Sequence, residues 1–165
     1  MDTATSLVND STVIAVLGQE RHFFSAAIIQ VLKKHFSIQS GTPAPDFLVG
    51  LSVNVLLLKK TGPNELPSPV LVVTKVDNEL ETVKKMVATL PSEGVLVVSA
   101  HDKLSHHISH PAGLKVLRIG FLEQADFFAS DINITDTTVN FKLNYQGNSV
   151  PVWIQKKISQ TRVMI

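Results

Sequence analysis

Four short runs in this chain are mostly apolar: "STVIAVLG" (11–18), "VLVVTKV" (70–76), "GVLVVSA" (94–100) and "LKVLRIG" (114–120). Each is rich in aliphatic and β-branched residues, and none alternates cleanly between apolar and polar positions. A strand with one wet face alternates. A strand without alternation needs cover on both faces, as in a parallel sheet with helices above and below it. The stretches between the runs have a helical period. From His22 to Phe36, the positions Phe24, Ala27, Ile28, Val31, Leu32 and His35 recur at i, i+3, i+4, i+7, i+8 and i+11, which predicts a helix laid on the sheet. "NELETVKKMVATLP" (78–91) sets Leu80, Val83, Val87 and Leu90 on one face of a second helix. This βαβ rhythm predicts an α/β fold with adjacent parallel strands. Val13, Ile14, Val16, Val72, Val73, Leu96, Val97, Val116 and Leu117 are its expected core.

The segment "DFLVGLSVNVLLLKK" (46–60) fits two periods. Leu48, Leu51, Val55 and Leu58 suit a helix, whereas Val53, Val55 and Leu57 suit a strand; the helix is the preferred reading. "SGTPAP" (40–45) and "TGPNELPSP" (61–69) read as loops. Beyond Gly120 the pattern alternates through "DFFASDINIT", "TVNFKLNY" and "NSVPVWIQ", joined by the turns "DT" and "QGN". That predicts an antiparallel hairpin extension, with Phe141 and Trp153 expected in its core.

A length of 165 residues suits one domain with a sizeable core. Residues 1–10 read as a flexible N-terminus and 159–165 as a C-terminal tail. A net charge of +1 gives no electrostatic reason to expect nucleic acid or an anionic membrane as partner. The absence of cysteine removes disulfides and thiolate metal sites and is compatible with a reducing cytosol. The start, "MDTATSLVND", has no basic segment followed by an apolar one, and "FLVGLSVNVLLL" (47–58) is too short to span a bilayer. The expected location is cytoplasmic.

Several passages, taken in order, resemble the central ATP-binding domain of the Mur ligase family. "PVLVVTKV" is similar to the strand that introduces that family's Thr-Asn-Ile segment. "LPSEGVLVVSAHD" resembles the helix end, turn and strand leading to an Asn-Ala-Asp-Asp motif. "KVLRIGFLEQADFFASDI" and "TTVNFKLNYQGNSVPVWI" resemble the passage and hairpin that follow. "VIAVLGQERHFFSAAIIQVLKKHF" has the lengths of the family's P-loop unit, and "VGLSVNVLLL" resembles the segment after it, in keeping with the helical reading. The resemblance runs over roughly residues 11–154, with a deletion near 61–68. It implies a P-loop-NTPase-like, mainly parallel sheet flanked by helices, occupying a domain at 11–158. Mur ligases join amino acids or peptides to a nucleotide-sugar carboxylate in peptidoglycan synthesis, and folylpolyglutamate synthetases are relatives.

The family's active-site residues are largely missing from the matching positions. Its P-loop, Thr-Gly-x-x-Gly-Lys-Thr-Thr, becomes Leu17-Gly18-Gln19-Glu20-Arg21-His22-Phe23-Phe24, in which only Gly18 is retained. Such a loop works because glycines let backbone N–H groups wrap phosphate, lysine neutralises it and a hydroxyl binds magnesium. Arg21 carries a Cβ, a histidine such as His22 is mostly neutral at pH 7, Phe23 cannot ligate a metal, and Glu20 repels phosphate. Gly18, Arg21 and His22 are therefore the remnant of a phosphate loop. The acidic residues between Glu20 and Val70, Asp46 and Glu65, lie in loop-like sequence. Thr-Asn-Ile becomes Thr74-Lys75-Val76, and Asn-Ala-Asp-Asp becomes Ser99-Ala100-His101-Asp102. Lys84 or Lys85 corresponds to the family's modified lysine.

Two weaker candidates remain. Arg21 and His22 at a helix N-terminus could hold an anion. His106 and His110 fall at i, i+4, a spacing that can chelate zinc, with His101 or Asp102 as a third ligand. The expected function is that of a non-catalytic, Mur-ligase-like module that binds a protein partner and uses neither ATP nor magnesium. The alternatives are a component of an ATP-dependent amide ligase completed by another chain, and a metal- or anion-binding module.

Overall fold

The computed structural model describes residues 11–40, 53–59, 69–76, 80–102 and 107–155. The expected N-terminal and C-terminal tails lie outside these residues, as do most of the proline-rich loops. The described residues form one nine-stranded sheet and two helices. The strands are β1 (Ser11–Leu17), β2 (Ser37–Ser40), β3 (Val53–Lys59), β4 (Val70–Val73), β5 (Val95–Ser99), β6 (Lys115–Gly120), β7 (Phe127–Ile134), β8 (Thr138–Tyr145) and β9 (Asn148–Gln155). The helices are α1 (Arg21–Leu32) and α2 (Leu80–Ala88). Across the sheet the strands run in the order β2-β3-β1-β4-β5-β6-β7-β8-β9.

The four apolar runs are adjacent and parallel, β1 to β4, β4 to β5 and β5 to β6. Alternate residues of each strand enter different cores, as the pleat requires. Val13, Ala15 and Leu17 join Leu71, Val73, Leu96 and Val98 beneath α2, which contributes Val83, Met86 and Val87. Ile14 and Val16 join Leu56, Leu58 and Val72 on the opposite face, beneath α1. Two-sided cover is what the missing alternation predicted; β1, β4 and most of β5 have it, whereas on β6 Val116 and Leu117 are only half-buried and Lys115 and Arg118 are exposed, so there the expected core is incomplete.

The sheet as a whole is mixed rather than mainly parallel: of its eight pairings, four are parallel and four antiparallel. Part of the difference comes from residues 53–59, where a helix was expected. They form β3, antiparallel to β1 along its whole length, from Ser11↔Lys59 to Leu17↔Val53. Val55 and Leu57 enter one core while Leu56 and Leu58 enter the other, so all four are buried. A helix would turn part of that run to solvent; a central strand buries it entirely. The residues before Val53 in the same segment lie outside the described ones. β2 pairs with β3 and closes that side of the sheet.

Helix α1 also sits differently from the expected stripe. Phe24, Ile28, Ile29 and Leu32 pack on the sheet, while Ala27, Val31 and His35 are exposed. Buried Ser25 lies on the inward side, its Oγ donating to the Arg21 carbonyl at 2.7 Å. On α2, Val83 and Val87 are buried and Leu80 packs against the same core, as predicted; Leu90, just past the helix end, is buried there too. Lys84 donates to Glu81 at 2.9 Å on the exposed side of α2, and this holds the Glu81 carboxyl below its usual range.

Beyond Gly120 the expected meander is present as β7-β8-β9. It meets the parallel sheet over a short register, Ile119↔Phe127 and Gly120↔Phe128. β7 therefore starts beside the carboxyl end of β6 and runs on past it. Trp153 is not in a core; it is 70% exposed. The reason is alternation: Val150, Val152 and Ile154 take one face of β9, so Trp153 falls on the other, opposite Asn140 and beside Lys142. Phe141, on the first face, is half-buried.

The two burial classes separate in energy. Leu71→Ala, in the α2-side core, is expected to lower unfolding free energy by about 2–5 kcal/mol, and Trp153→Ala by less than about 1 kcal/mol. Urea denaturation with unchanged m values checks both.

Candidate functional site

In a sheet of this kind, ligands bind outside the carboxyl ends of the parallel strands, at the point where successive connections leave in opposite directions. Here that point lies between β1 and β4: the chain goes from β1 to β3 and β2 on one side, and from β4 to β5 and β6 on the other. The turn after β1, the ends of β4, β5 and β6, and the first residues of α1 converge there.

Gly18 shapes the turn. Its φ is +99°, and a Cβ at this position would overlap Thr74 Oγ1 and lie 2.8 Å from the Lys75 carbonyl. The close approach comes from direct ties between the ends of β1 and β4. Thr74 donates to the Leu17 carbonyl through both its N–H, at 3.0 Å, and its hydroxyl, at 2.7 Å. The Gln19 N–H donates to the Lys75 carbonyl at 3.2 Å. Glycine is therefore required here by packing, whatever the turn binds.

Arg21 folds back over the turn. Its Nη1 donates to the Gly18 carbonyl at 3.1 Å, and its own N–H does so at 3.3 Å. Glu20 caps α1 by position without a side-chain capping bond. His22 is exposed at the helix head, where Asn54 Nδ2 from β3 lies 3.2 Å from its Nδ1 and donates to Ser25 Oγ at 3.1 Å. Gly18, Arg21 and His22, neighbours in sequence, lie at the turn and the head of α1. The structure adds Ser25 and Asn54, which sequence reasoning missed: Asn54 comes from a segment read as helix, and Ser25 follows the quoted loop.

Phe23, next after His22 at the head of α1, could either fill the space beside the turn as core or stand exposed as an apolar surface. It is 73% exposed, its ring meeting Phe24 edge-on at 5.8 Å. Conversion to core is ruled out; the ring stands in solvent beside Gln19, Glu20 and His22.

On the other side of Phe24 lies a cleft of about 530 Å³. Val72 of β4 and Thr74 just after it, Ser99 and His101 at the end of β5, and Ile119 and Phe121 around the end of β6 form its walls, with Glu20 and Lys75 also lining it. His101 lies against Phe121, ring centres 5.5 Å apart, and sits so close to Gly120 that a Cβ there would come within 2.7 Å of its Nδ1. Asp102 ties β5 to β4, its Oδ2 accepting from the Val76 N–H at 3.1 Å. This carboxylate acts as a brace between strand ends. Lys84 and Lys85 do not line the cleft.

The histidines do not converge among the described residues. His101 belongs to the cleft, His107 and His110 are exposed, and His110 Nδ1 lies 3.3 Å from the Pro111 carbonyl. His106 lies outside the described residues. No group of three or more potential metal-ligating side chains occurs among the described residues, and no described helix is long and apolar enough to cross a membrane.

No family model and no curated protein matches the chain. Among solved structures it is similar to a UDP-N-acetylmuramoyl-L-alanyl-D-glutamate–2,6-diaminopimelate ligase, at 16% identity and a TM-score of 0.45, over 53% of this chain and 21% of that one. It is also similar to MurF from Acinetobacter baumannii, at 17% identity and a TM-score of 0.41, over 53% and 22% of the two chains. A UDP-N-acetylmuramoylalanyl-D-glutamyl-2,6-diaminopimelate–D-alanyl-D-alanyl ligase from the same organism gives 20% identity and a TM-score of 0.42, over 52% and 21%. These likenesses span about half of this chain and about a fifth of each ligase.

Two substitutions separate packing from chemistry in the turn. Gly18→Ala is expected to destabilise the fold by at least about 1–3 kcal/mol, through the positive φ and the contact with Thr74. Phe23→Ala is expected to change stability by less than about 1 kcal/mol. Thermal and urea unfolding of both variants read this out.

Proposed function

We propose that the chain is a Mur-ligase-like domain without catalytic chemistry of its own, working in the cytoplasm as a binding or scaffold module for a protein partner. The observation that carries this reading is the self-satisfied turn at the head of α1. The Arg21 guanidinium, the cation best placed to meet phosphate, donates instead to the Gly18 carbonyl. The residues there do not suit a magnesium-bound triphosphate. Ser25 donates its hydroxyl proton to the Arg21 carbonyl, Phe23 and Phe24 stand where hydroxyls would be needed, and Glu20 adds like charge at the helix start. An anion at a helix N-terminus needs unencumbered N–H groups and no competing carboxylate. An aromatic ring held in water, as Phe23 is, favours contact with another protein surface.

One observation favours a second reading, an amide-ligase component completed by another chain. The cleft beside Phe24 is open at the position where α/β sheets bind ligands.

Mg-ATP separates the two. A ligand at a hundred times its dissociation constant adds about 2.7 kcal/mol to stability, which for a domain of this size raises the melting temperature by about 5–10 °C. The expected result with millimolar Mg-ATP is no shift and no calorimetric binding heat. A reproducible shift of several degrees would replace the scaffold reading with the ligase-component reading.

A further inference from the structure

On the sheet face that α1 covers, the cover ends before the sheet does. Register carries this face from Val97 on β5 to Leu117 and Ile119 on β6, and on to Phe127 on β7. It then crosses the meander. There Val139, Phe141 and Leu143 of β8 lie opposite Ile154, Val152 and Val150 of β9, with Ile134 of β7 beside Val139. Neither described helix covers this part: α1 packs with β1, β3 and β4, and α2 lies on the opposite face.

This part of the face is apolar and carries no charge. The charged side chains within the meander strands, Asp131 and Lys142, pair with each other at 2.6 Å, and Lys142 registers with Pro151 on the opposite face. Asp136 is in the turn between β7 and β8. Ile134, Val150 and Ile154 are 65%, 56% and 49% exposed. With Ile132 and Leu143, they present on the order of 500 Å² of apolar side chain, at the upper end of what monomers leave in water.

We propose that this face of β7–β9 is the interface of a homodimer, two copies stacking their meanders face to face. A meander face without charge of its own offers no electrostatic handle for choosing an unrelated partner, and an apolar face can meet its own copy about a two-fold axis. Twisted antiparallel sheets stack this way about 10 Å apart, as the halves of a sandwich do. On the order of 500 Å² of apolar surface plus a polar rim approaches the roughly 800 Å² per partner of a stable complex. Pairing through the edge of β9 is the poorer arrangement, because Pro151 has no N–H to give to a neighbouring strand. The interface is independent of whatever occupies the cleft, so the Mg-ATP result does not bear on it.

Sedimentation equilibrium of the full chain over a concentration series, alongside Ile154→Lys and Val150→Lys, tests the proposal. The expected result is a reversible dimer with a dissociation constant in the micromolar range, and monomers for whichever lysine variants retain the wild-type circular dichroism spectrum. Trp153, the single tryptophan, lies on the opposite face, so its emission is expected to stay that of a water-exposed indole in the dimer. A wild-type chain that remains monomeric would overturn the proposal. So would a dimer that survives a folded lysine variant, or dimerisation accompanied by a blue shift of Trp153.

Discussion

Burial of β1 on both faces is the constraint on which the rest of the molecule depends. Thr12 to Leu17 are buried without a break, odd residues under α2 and even residues under α1. Each aliphatic side chain so buried contributes about 1.5–3 kcal/mol, and no exposed position interrupts the run. β1 is also hydrogen-bonded on both edges, to β3 and to β4. A strand enclosed in this way has its main-chain groups satisfied by its neighbours, and its carboxyl end is fixed to within a residue. The head of α1 and the mouth of the cleft inherit their positions from it.

That fixed end explains why glycine is required at position 18 whatever the turn after β1 binds. Gly18 faces Thr74 and Lys75 too closely for any side chain, so the packing of β1 against β4 demands glycine with or without a ligand. The residues that open α1 are under looser constraint: Arg21 turns back on the Gly18 carbonyl, His22 and Phe23 stand exposed, and Phe24 packs on the sheet. A sequence motif mixes these two kinds of constraint, and the coordinates separate them. The same holds for Asp102, which reads as a site carboxylate in sequence and is a brace between β4 and β5 in space.

The parallel centre, α2 and the meander were legible in the sequence because each rests on a local period that survives in the fold. What was not legible depended on tertiary choice. Residues 53–59 are apolar without interruption, and such a run fits a helix or a strand until a neighbouring strand decides; β1 decided it. Helix α1 has apolar residues around much of its circumference, so its period did not fix which of them face the sheet, and Ile29 rather than Val31 does. Trp153 was expected in the core as part of the alternating hairpin, although its place between Val152 and Ile154 already put it on the opposite face. Of the candidate site, Gly18, Arg21 and His22 adjoin simply as sequence neighbours, whereas Asn54 reaches His22 across 32 residues of sequence, and no local pattern announces that.

The short seam between β6 and β7 has a consequence for how the molecule comes apart. Strands β7, β8 and β9 follow one another along the chain and pair with their immediate successors, so this unit closes only short loops, whereas β1 must wait for residues 53–59 and 70–73 before either edge is satisfied. Two registered residue pairs, Ile119↔Phe127 and Gly120↔Phe128, join the meander to the parallel strands. Cooperativity is transmitted through shared contacts, and few cross this seam. By this topology the molecule is expected to open as two foldons of unequal kinetics: a local meander that forms early, and a slower parallel centre that carries the global stability.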